Sequence, residues 1–375
     1  MAGIYIHIPF CKQACHYCDF HFSTNTRLKV PMLQAIAKEL RMRKAYMGTA
    51  QVKSIYLGGG TPSLLESAAL EALLTVIAQH FSLNAVMEIT LEANPDDLTL
   101  AKLQALRTIG INRLSIGVQS FQDSVLRHLN RAHDSQKAIA SVQLARKAGF
   151  DNLSIDLMYA IPGVGQEIWE ANLATALQLQ PEHIAAYCLT IEKNTAFGHW
   201  HAKGKLKAVE EEVAAKQFET LMEVLTTHHY EHYEISNFSQ PGYYAQHNTN
   251  YWKKGHYLGV GPGAHSYNGV TRQHNVTHNQ RYIDSIRQDA VPCTIETLTR
   301  KDHINEYVMT SLRTQWGCDM RWLKAKYDYV LEPTKITYVE QLINNQLAVL
   351  NDQKLLLTRK GKLLADQITM DLFVD

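Results

Sequence analysis

Short apolar, β-rich runs alternate with helical stretches over the first 225 residues of the chain. In the helical stretches apolar residues recur every three to four positions, which places them on one face. Unbroken alternation of this kind predicts a parallel sheet with right-handed crossovers. Because the count is six strands rather than eight, we predict an incomplete TIM-like (β/α)6 barrel, with a doubly wound open sheet as the alternative. The six predicted strands span residues 4–8, 52–57, 87–91, 113–118, 153–157 and 183–189.

The last part of the chain has a different pattern. Helical periodicity around Ile304 and Ile336 precedes a predicted β-hairpin at residues 347–358 and a final helix. This order predicts a smaller α+β, winged-helix-like domain, and the length of 375 residues has room for it beside the barrel. We therefore predict two domains: residues 1–290, which include an irregular aromatic and glycine-rich segment at 237–269, and residues 291–375.

Charge and hydropathy narrow the choice of partners. The formal net charge of +1 gives no bulk attraction to nucleic acid or to an anionic membrane, so we expect a small-molecule ligand and no nucleic-acid partner. Basic residues are not concentrated in the winged-helix-like part, which favours a packing or lid role there. No window of about 18 apolar residues predicts a membrane span. We expect a cytoplasmic protein that reaches membranes only through its partners.

Polar residues follow the predicted strands at the points where they end. A cysteine-rich loop follows the first strand, the turn GGGTP at residues 58–62 follows the second, and Glu92, Gln119 and Asp156 lie at the ends of the next three. Active sites of barrels form at the C-terminal ends of the strands. The sequence therefore predicts that these residues line one site.

Three cysteines, Cys11, Cys15 and Cys18, lie within eight residues in the spacing C-x3-C-x2-C. Cys thiolates are the usual ligands of a [4Fe-4S] cube, and three of them leave one iron open for a substrate or cofactor. A structural zinc site with His16 or His21 as the fourth ligand is the alternative. Disulfides are disfavoured, because the other cysteines are isolated and nothing marks the chain as secreted.

Several motifs in order give the chain a family resemblance. They are YIHIPFC at residues 5–11, GGGTP at 58–62, LEANP at 91–95, RLSIGVQSF at 113–121, NR at 130–131 and SIDLM at 154–158. With these motifs the chain resembles the radical S-adenosylmethionine (SAM) proteins, and more narrowly the oxygen-independent coproporphyrinogen III oxidase-like family. The resemblance covers nearly the whole chain.

The resemblance implies two cofactors. The three cysteines would hold a [4Fe-4S] cluster, and SAM would chelate the open iron through its amino and carboxylate groups. Glu92 would accept from the SAM ammonium, and Arg131 would pair with the SAM carboxylate. Gln119 and Asp156 would bond the ribose hydroxyls, the glycine turn would approach the methionine end, and Tyr5 would pack near the cluster. The residues that this resemblance assigns to SAM are Tyr5, Gly59, Gly60, Thr61, Glu92, Gln119, Arg131 and Asp156.

Two features point to a branch of the family. Phe20 stands where the oxidases carry a fourth cysteine, two positions after the third. The run HNTNYW at residues 247–252 matches the H-N-x-x-Y-W pattern of the heme chaperone branch, which implies heme binding. An imidazole can ligate heme iron and aromatic faces can cover a porphyrin. His247 is the predicted ligand, with His265 as the alternative. The residues assigned to heme are His247, Asn248, Tyr251 and Trp252.

The function expected from this resemblance is that of a heme chaperone. Such a protein would bind heme and deliver it to respiratory heme proteins while carrying a [4Fe-4S] cluster and SAM. The alternative is an oxygen-independent coproporphyrinogen III dehydrogenase that uses a 5′-deoxyadenosyl radical, which Phe20 disfavours. A third reading from the residues alone is a zinc-bound scaffold without redox chemistry. Whether the chain is an enzyme is left open.

Overall fold

The structure, a computed structural model, describes residues 2–83 and 87–374. Six parallel strands that neighbour one another in chain order form its centre. Their bounds are β1 (Ala2–Ile8), β2 (Val52–Gly59), β3 (Glu88–Ala93), β4 (Arg113–Gln119), β5 (Leu153–Tyr159) and β6 (His183–Cys188). All six predicted strands are present, and the predicted partial barrel of parallel strands is confirmed.

Helices connect these strands and cover the sheet. Their apolar stripes explain the packing: on the second helix Leu70, Leu73 and Ile77 recur at three- and four-residue spacing and all three are buried. Side chains cap three of these helices, where Thr99, Asp134 and Thr195 accept from backbone N–H groups of the first turn. The helices are α1 (Lys29–Met42), α2 (Ser67–His80), α3 (Leu100–Thr108), α4 (Asp123–His128), α5 (Ser135–Lys147), α6 (Gln166–Leu179), α7 (Ala196–Ala202) and α8 (Glu211–Thr227).

Additional strands extend the sheet at both sides. β8 pairs antiparallel with β6 and β7 pairs with β8, whereas β9 pairs parallel with β1 and is followed by antiparallel β10 to β12. As a result, β1 lies between β2 and β9. These strands are β7 (Glu231–Glu234), β8 (Asn237–Ser239), β9 (His256–Val260), β10 (His265–Tyr267), β11 (Thr271–Asn275) and β12 (Cys293–Thr297), with helices α9 (Gln246–Trp252) and α10 (Asn279–Arg287).

The expectation that residues 237–269 are irregular is wrong, because this segment holds β8, α9, β9 and β10. Its glycines have a packing role. A Cβ at Gly259 would overlap the backbone of His265, so glycine permits β10 to approach β9. Gly261 has φ +100, in the left-handed region that favours glycine.

A buried carboxylate anchors this extension to the barrel. Glu39 of α1 is fully buried and accepts from Gly261 N–H at 2.9 Å, Asn275 Nδ2 at 2.8 Å and Tyr282 OH at 2.6 Å. Its neighbour on the helix, Arg43, donates to it at 3.3 Å. One side chain therefore joins α1, the β9–β10 turn, β11 and α10.

The C-terminal part has its own core and its own antiparallel sheet, in the order β13-β15-β14. The predicted hairpin is confirmed, and its turn is Asp352-Gln353, where φ is +46 and +63 as a tight primed turn requires. The predicted domain boundary at residue 290 stays a prediction; the large sheet continues to Thr297. None of the described helices is long and apolar enough to cross a membrane. The elements are α11 (Arg300–Leu312), β13 (Cys318–Asp319), α12 (Met320–Tyr327), α13 (Pro333–Asn344), β14 (Ala348–Asn351), β15 (Lys354–Leu357), α14 (Arg359–Lys362) and α15 (Ala365–Asp371).

Candidate cofactor site

A cavity of about 490 Å³ lies inside the barrel and reaches the cysteine loop. Exposed side chains border it at the loop, including Asp19, Phe20 and Glu192, so the cavity opens there. Its volume is typical of small-molecule sites. The predicted site residues that line it are Cys11, Cys15, Cys18, Gly59, Gly60, Thr61, Glu92, Gln119, Arg131, Asp156 and Asn248.

The cysteine loop is fixed by backbone and side-chain hydrogen bonds to distant segments. Cys11 N–H donates to Ser23 O at 3.1 Å, and His16 N–H donates to Leu129 O at 3.1 Å. Asn130 Nδ2 donates to the carbonyl of Ala14 at 2.7 Å. The loop is therefore positioned both by local backbone contacts at Ser23 and by the segment after α4.

The cysteine sulfurs are free and accept hydrogen bonds from cavity residues. Thr61 Oγ1 donates to Cys11 Sγ and Arg131 Nη1 donates to Cys15 Sγ, each at 3.4 Å. Burial raises the pKa of Cys18 to about 12, so binding of a metal must displace its proton. In the described parts of the chain no three His, Cys, Asp or Glu side chains converge on a single ion site. The thiolates of a [4Fe-4S] cube, by comparison, each bind a different iron.

The glycine turn after β2 packs directly against the start of the cysteine loop. Gly60 N–H donates to Ile8 O at 2.9 Å, and Thr61 N–H donates to Phe10 O at 2.7 Å. A Cβ at Gly60 would lie 2.7 Å from the Phe10 carbonyl oxygen, and Gly59 has φ +110. Glycine is therefore required at residue 59 for the positive φ and at residue 60 for the close approach of the backbone.

Glu92 at the end of β3 is the first of two carboxylates on the cavity wall. It accepts from Tyr56 OH at 2.8 Å and from Gly59 N–H at 3.1 Å. Desolvation raises the pKa of Glu92 to about 7, the nearby Asp156 charge adds to this, and the two hydrogen bonds act against it. A cationic group bound beside Glu92 would keep this carboxylate ionised.

Asp156 in β5 is the second carboxylate. Ser115 Oγ donates to its two oxygens at 3.0 and 3.2 Å, and Ser154 Oγ at 3.4 Å. Desolvation raises the pKa of Asp156 to about 6, although these hydrogen bonds lower it. The residue therefore retains acceptor capacity toward the cavity, which suits a hydroxyl-bearing ligand.

Gln119 ends β4 in an unusual conformation, with φ +67 where the pairing register with β5 shifts. A non-glycine residue rarely adopts this φ, and such strain is common at ligand sites. Arg131 is held nearby, donating from Nη2 to Asn94 Oδ1 at 2.7 Å and to Gly117 O at 2.6 Å. Its buried Nε has no hydrogen-bond partner among the described residues.

The predicted heme ligand His247 is buried, with 1% of its surface exposed. Its Nδ1 is 2.9 Å from Ser54 Oγ and its Nε2 is 2.6 Å from Tyr251 OH, so both ring nitrogens are engaged. Burial lowers the pKa of His247 to about 3. The N-terminus of its helix, α9, is held by Glu88, which accepts from the backbone N–H groups of residues 246 and 247. In this conformation the imidazole cannot bind iron.

The other residues of HNTNYW are divided between two cavities. Asn248 lines the large one, whereas Tyr251 and Trp252 line a smaller pocket of about 120 Å³ that reaches α11. Helix α9 is therefore a wall shared by both. Tyr5 lines neither; it bonds to His7 at 3.1 Å and stacks on Tyr56. His265 is exposed on β10, where it pairs with His274 of β11.

The cavity residues that sequence reasoning missed include Tyr56, Arg113 and Ser115. Alternate residues of a strand face the same side, so counting back by twos from Gln119 leads to Ser115 and Arg113. The same count back from Gly58 leads to Tyr56. The signal was present in the strands already predicted.

Comparisons with known proteins show the family to which the chain belongs. Residues 5–174 match the model of the Radical SAM superfamily, and residues 298–364 match that of the HemN C-terminal domain. Heme chaperone HemW of Bacillus subtilis is 35% identical over 371 residues, which cover 98% of each chain. The chain belongs to the HemW family. Its Escherichia coli (strain K12) member is 39% identical over 266 residues, covering 70% of this chain and 69% of that one.

A solved structure supports the same fold. Coproporphyrinogen III oxidase (HemN) from Escherichia coli, a radical SAM enzyme, superimposes with a TM-score of 0.86 at 24% identity, covering 100% of this chain and 90% of the other. The predicted fold class is therefore confirmed, as the sequence matches above confirm the predicted family. Membership of the radical SAM superfamily implies a [4Fe-4S] cluster and SAM.

Proposed function

We propose that this chain is a cytoplasmic heme chaperone that holds heme and delivers it to respiratory heme proteins. The observation that carries the proposal is the position of HNTNYW: its helix α9 forms a wall of the cavity that the three cysteines line. Full-length similarity to proteins named heme chaperones supports it. The name heme chaperone includes no recipient, so delivery to respiratory heme proteins is an additional part of the proposal.

Cys11, Cys15 and Cys18 would hold the [4Fe-4S] cluster, which supplies an open iron for SAM when bound. The residues around the cysteines fit such a group, because Thr61 and Arg131 donate hydrogen bonds to sulfur and the thiols are free. Neutral donors and a guanidinium stabilise thiolates. We prefer the cluster to a zinc site because no three His, Cys, Asp or Glu side chains converge on one ion in the described residues, and the candidate fourth ligands His16 and His21 are hydrogen-bonded elsewhere.

SAM would lie across the strand ends beside the cysteine loop. Glu92 would accept from its ammonium group, and Arg131 has an unpartnered Nε for its carboxylate. Asp156 and Gln119 would bond the ribose, while the backbone of the glycine turn at residues 59–61 would approach the methionine end. Tyr5 would contribute indirectly, because it stacks on Tyr56, whose hydroxyl donates to Glu92.

Heme would be bound through α9. His247 could ligate iron only after leaving Ser54 and Tyr251, so heme binding by this residue requires movement of the helix or rotation of the ring. The rings of Tyr251 and Trp252 line the smaller pocket and would cover the porphyrin edge. We therefore propose that the described conformation is the heme-free one.

Phe20 distinguishes this proposal from the oxidase alternative. It is 72% exposed and lies at the cavity opening, at the position of the fourth cysteine of the oxidases. An apolar ring there would contact a ligand that enters the cavity but would supply no thiol. We therefore expect no conversion of coproporphyrinogen III.

One preparation tests the proposal. After anaerobic reconstitution we expect about four irons per chain, the number in one cube, and saturable heme binding followed by visible absorption. The same protein with SAM and a reductant should leave coproporphyrinogen III unchanged. Absence of heme binding would remove the chaperone function, and formation of protoporphyrinogen IX would establish the oxidase. Stoichiometric zinc without iron would exclude both.

A further inference from the structure

Arg113 is a buried guanidinium inside the cavity whose ion pair with Glu88, at 3.9 Å, is too long for a hydrogen bond. It is the first residue of β4, its exposed fraction is 1%, and it lines the same cavity as the cysteines. Its Nε has no hydrogen-bond partner, and no other hydrogen bond of its side chain occurs within residues 2–83 and 87–374. A buried charged donor without an acceptor is strongly unfavourable, so this position calls for an acceptor.

The surrounding carboxylates do not supply that acceptor. Glu88 Oε2 is 3.9 Å from Arg113 Nε, beyond hydrogen-bonding distance, and both Glu88 oxygens already accept from the N-terminus of α9. Asp156 accepts from Ser115 and Ser154, and Glu92 accepts from Tyr56 and the glycine turn. The donors of Arg113 therefore remain available to a ligand.

A second donor lines the same cavity. Asn248 of α9 lines the cavity, and its side-chain amide takes part in no hydrogen bond in the described part of the chain. A guanidinium offers two parallel N–H groups that match the two oxygens of a carboxylate, and an amide NH2 can add a third donor. Water could accept from these N–H groups, but a carboxylate would add charge-assisted hydrogen bonds.

We propose that Arg113 and Asn248 form a binding site for a carboxylate of a second ligand, separate from the residues assigned to SAM. Within the proposed function, on which this inference rests, that carboxylate is a propionate of heme. The arrangement explains why Asn248 belongs to the heme-associated run although it does not face the aromatic pocket. Arg131 remains the partner of the SAM carboxylate, so the two acids are bound by different arginines.

Hemin and hemin dimethyl ester test this site, because esterification removes both propionate charges and leaves the ring and iron. Titrations of the reconstituted protein are expected to give hemin at least about tenfold tighter binding than the ester, the factor for one charge-assisted hydrogen bond. Arg113→Gln should remove this preference while SAM affinity stays unchanged. Arg113→Lys, which keeps the charge but not the fork, should retain part of it.

Arg146→Gln is the matched control. It removes a guanidinium that pairs with Glu182 at 2.8 Å, away from the cavity, and it should keep the preference for hemin. If Arg113 served only to balance Glu88, Arg113→Gln would lose stability on thermal melting without altering the preference. If Arg113→Gln fails to fold, Arg113→Lys decides the matter: a partial loss of the preference supports the site, and an unchanged preference overturns it.

The outcomes separate the two proposals. Equal affinity of the wild type for hemin and its ester overturns the carboxylate site and leaves heme binding standing. A preference that persists in folded Arg113→Gln assigns the propionate to other residues and also overturns it. Failure of the wild type to bind either compound overturns the proposed function and this inference together. Loss of the preference in Arg113→Gln, with SAM binding intact, supports both.

Discussion

Replacement of Tyr251 by phenylalanine tests how His247 becomes available to iron. In the described conformation Tyr251 OH lies 2.6 Å from His247 Nε2, inside a protein interior where that nitrogen has no other partner. Tyr251→Phe keeps the aromatic ring that lines the smaller pocket but removes the hydroxyl. The substitution should therefore weaken the heme-free conformation selectively and leave the heme-bound conformation unchanged.

The size of the effect follows from one neutral hydrogen bond. Such a bond contributes about 1 kcal/mol, and a buried group left without it is penalised by a similar amount. If His247 ligates heme, the wild type must break this bond before it binds. In Tyr251→Phe the bond is absent, so heme affinity should increase about fivefold. The free energy of unfolding of the heme-free protein should fall by about 1 kcal/mol. Removing the second partner by Ser54→Ala should add a comparable increase in affinity.

Heme titration followed by absorption, with urea unfolding of the same samples, measures both quantities. Tyr230→Phe is the control, since it removes one buried tyrosine hydrogen bond, to Pro181 O, away from α9. This control should lose stability without any change in heme affinity. Unchanged or weaker heme binding in Tyr251→Phe would refute the reasoning, because His247 would then not have to leave its partners to bind iron.

Three further predictions concern the cluster, the packing and the pH dependence. Cys15→Ser should reduce reconstituted iron from about four per chain to near zero, whereas Cys293→Ser should retain it; retention in both would exclude Cys15 as a ligand. Glu39→Ala removes four hydrogen bonds and leaves the buried Arg43 without its carboxylate, although Arg43 still donates to Gly259 O and Gln273. Urea unfolding should therefore show a loss of about 3–5 kcal/mol, and a loss below about 1 kcal/mol would contradict the anchoring role. Burial lowers the pKa of His247 to about 3 from an ordinary value of 6.5. Between these two pH values the unfolded chain therefore binds one more proton at this residue than the folded chain does. As a result, the free energy of unfolding decreases as the pH falls through this range. His247→Gln should reduce the slope of unfolding free energy against pH by about 1.4 kcal/mol per unit at pH 5, and an unchanged slope would show that this histidine titrates normally.

The parallel core of the fold was predictable, because each of β1 to β6 is a short apolar run followed by a clear helical period. β9 was not predictable in the same way. It has five residues, includes Gly259, and pairs in parallel with a strand some 250 residues earlier, which local periodicity cannot indicate. Its pairing is determined by tertiary contacts such as those of Glu39.

The candidate site was predictable to the extent that it depends on strand ends. Glu92, Gln119 and Asp156 lie at or near the C-terminal ends of predicted strands, and the parallel topology alone brings these ends to one edge of the sheet. The motif around His247 gave residue types but no orientation. Whether an imidazole faces a cavity or a buried serine depends on how α9 packs against β1 and β2, which is a property of the whole barrel.

The position of β1 between β2 and β9 has a consequence for synthesis of the protein. The strand that carries the cysteine loop keeps one edge of unpaired N–H and C=O groups until His256–Val260 leaves the ribosome. At ~5–20 residues per second, this interval after the cysteines is roughly 10 to 50 s. We therefore expect iron and sulfide to be inserted after most of the chain has been made, when the loop is attached to a strand paired on both sides.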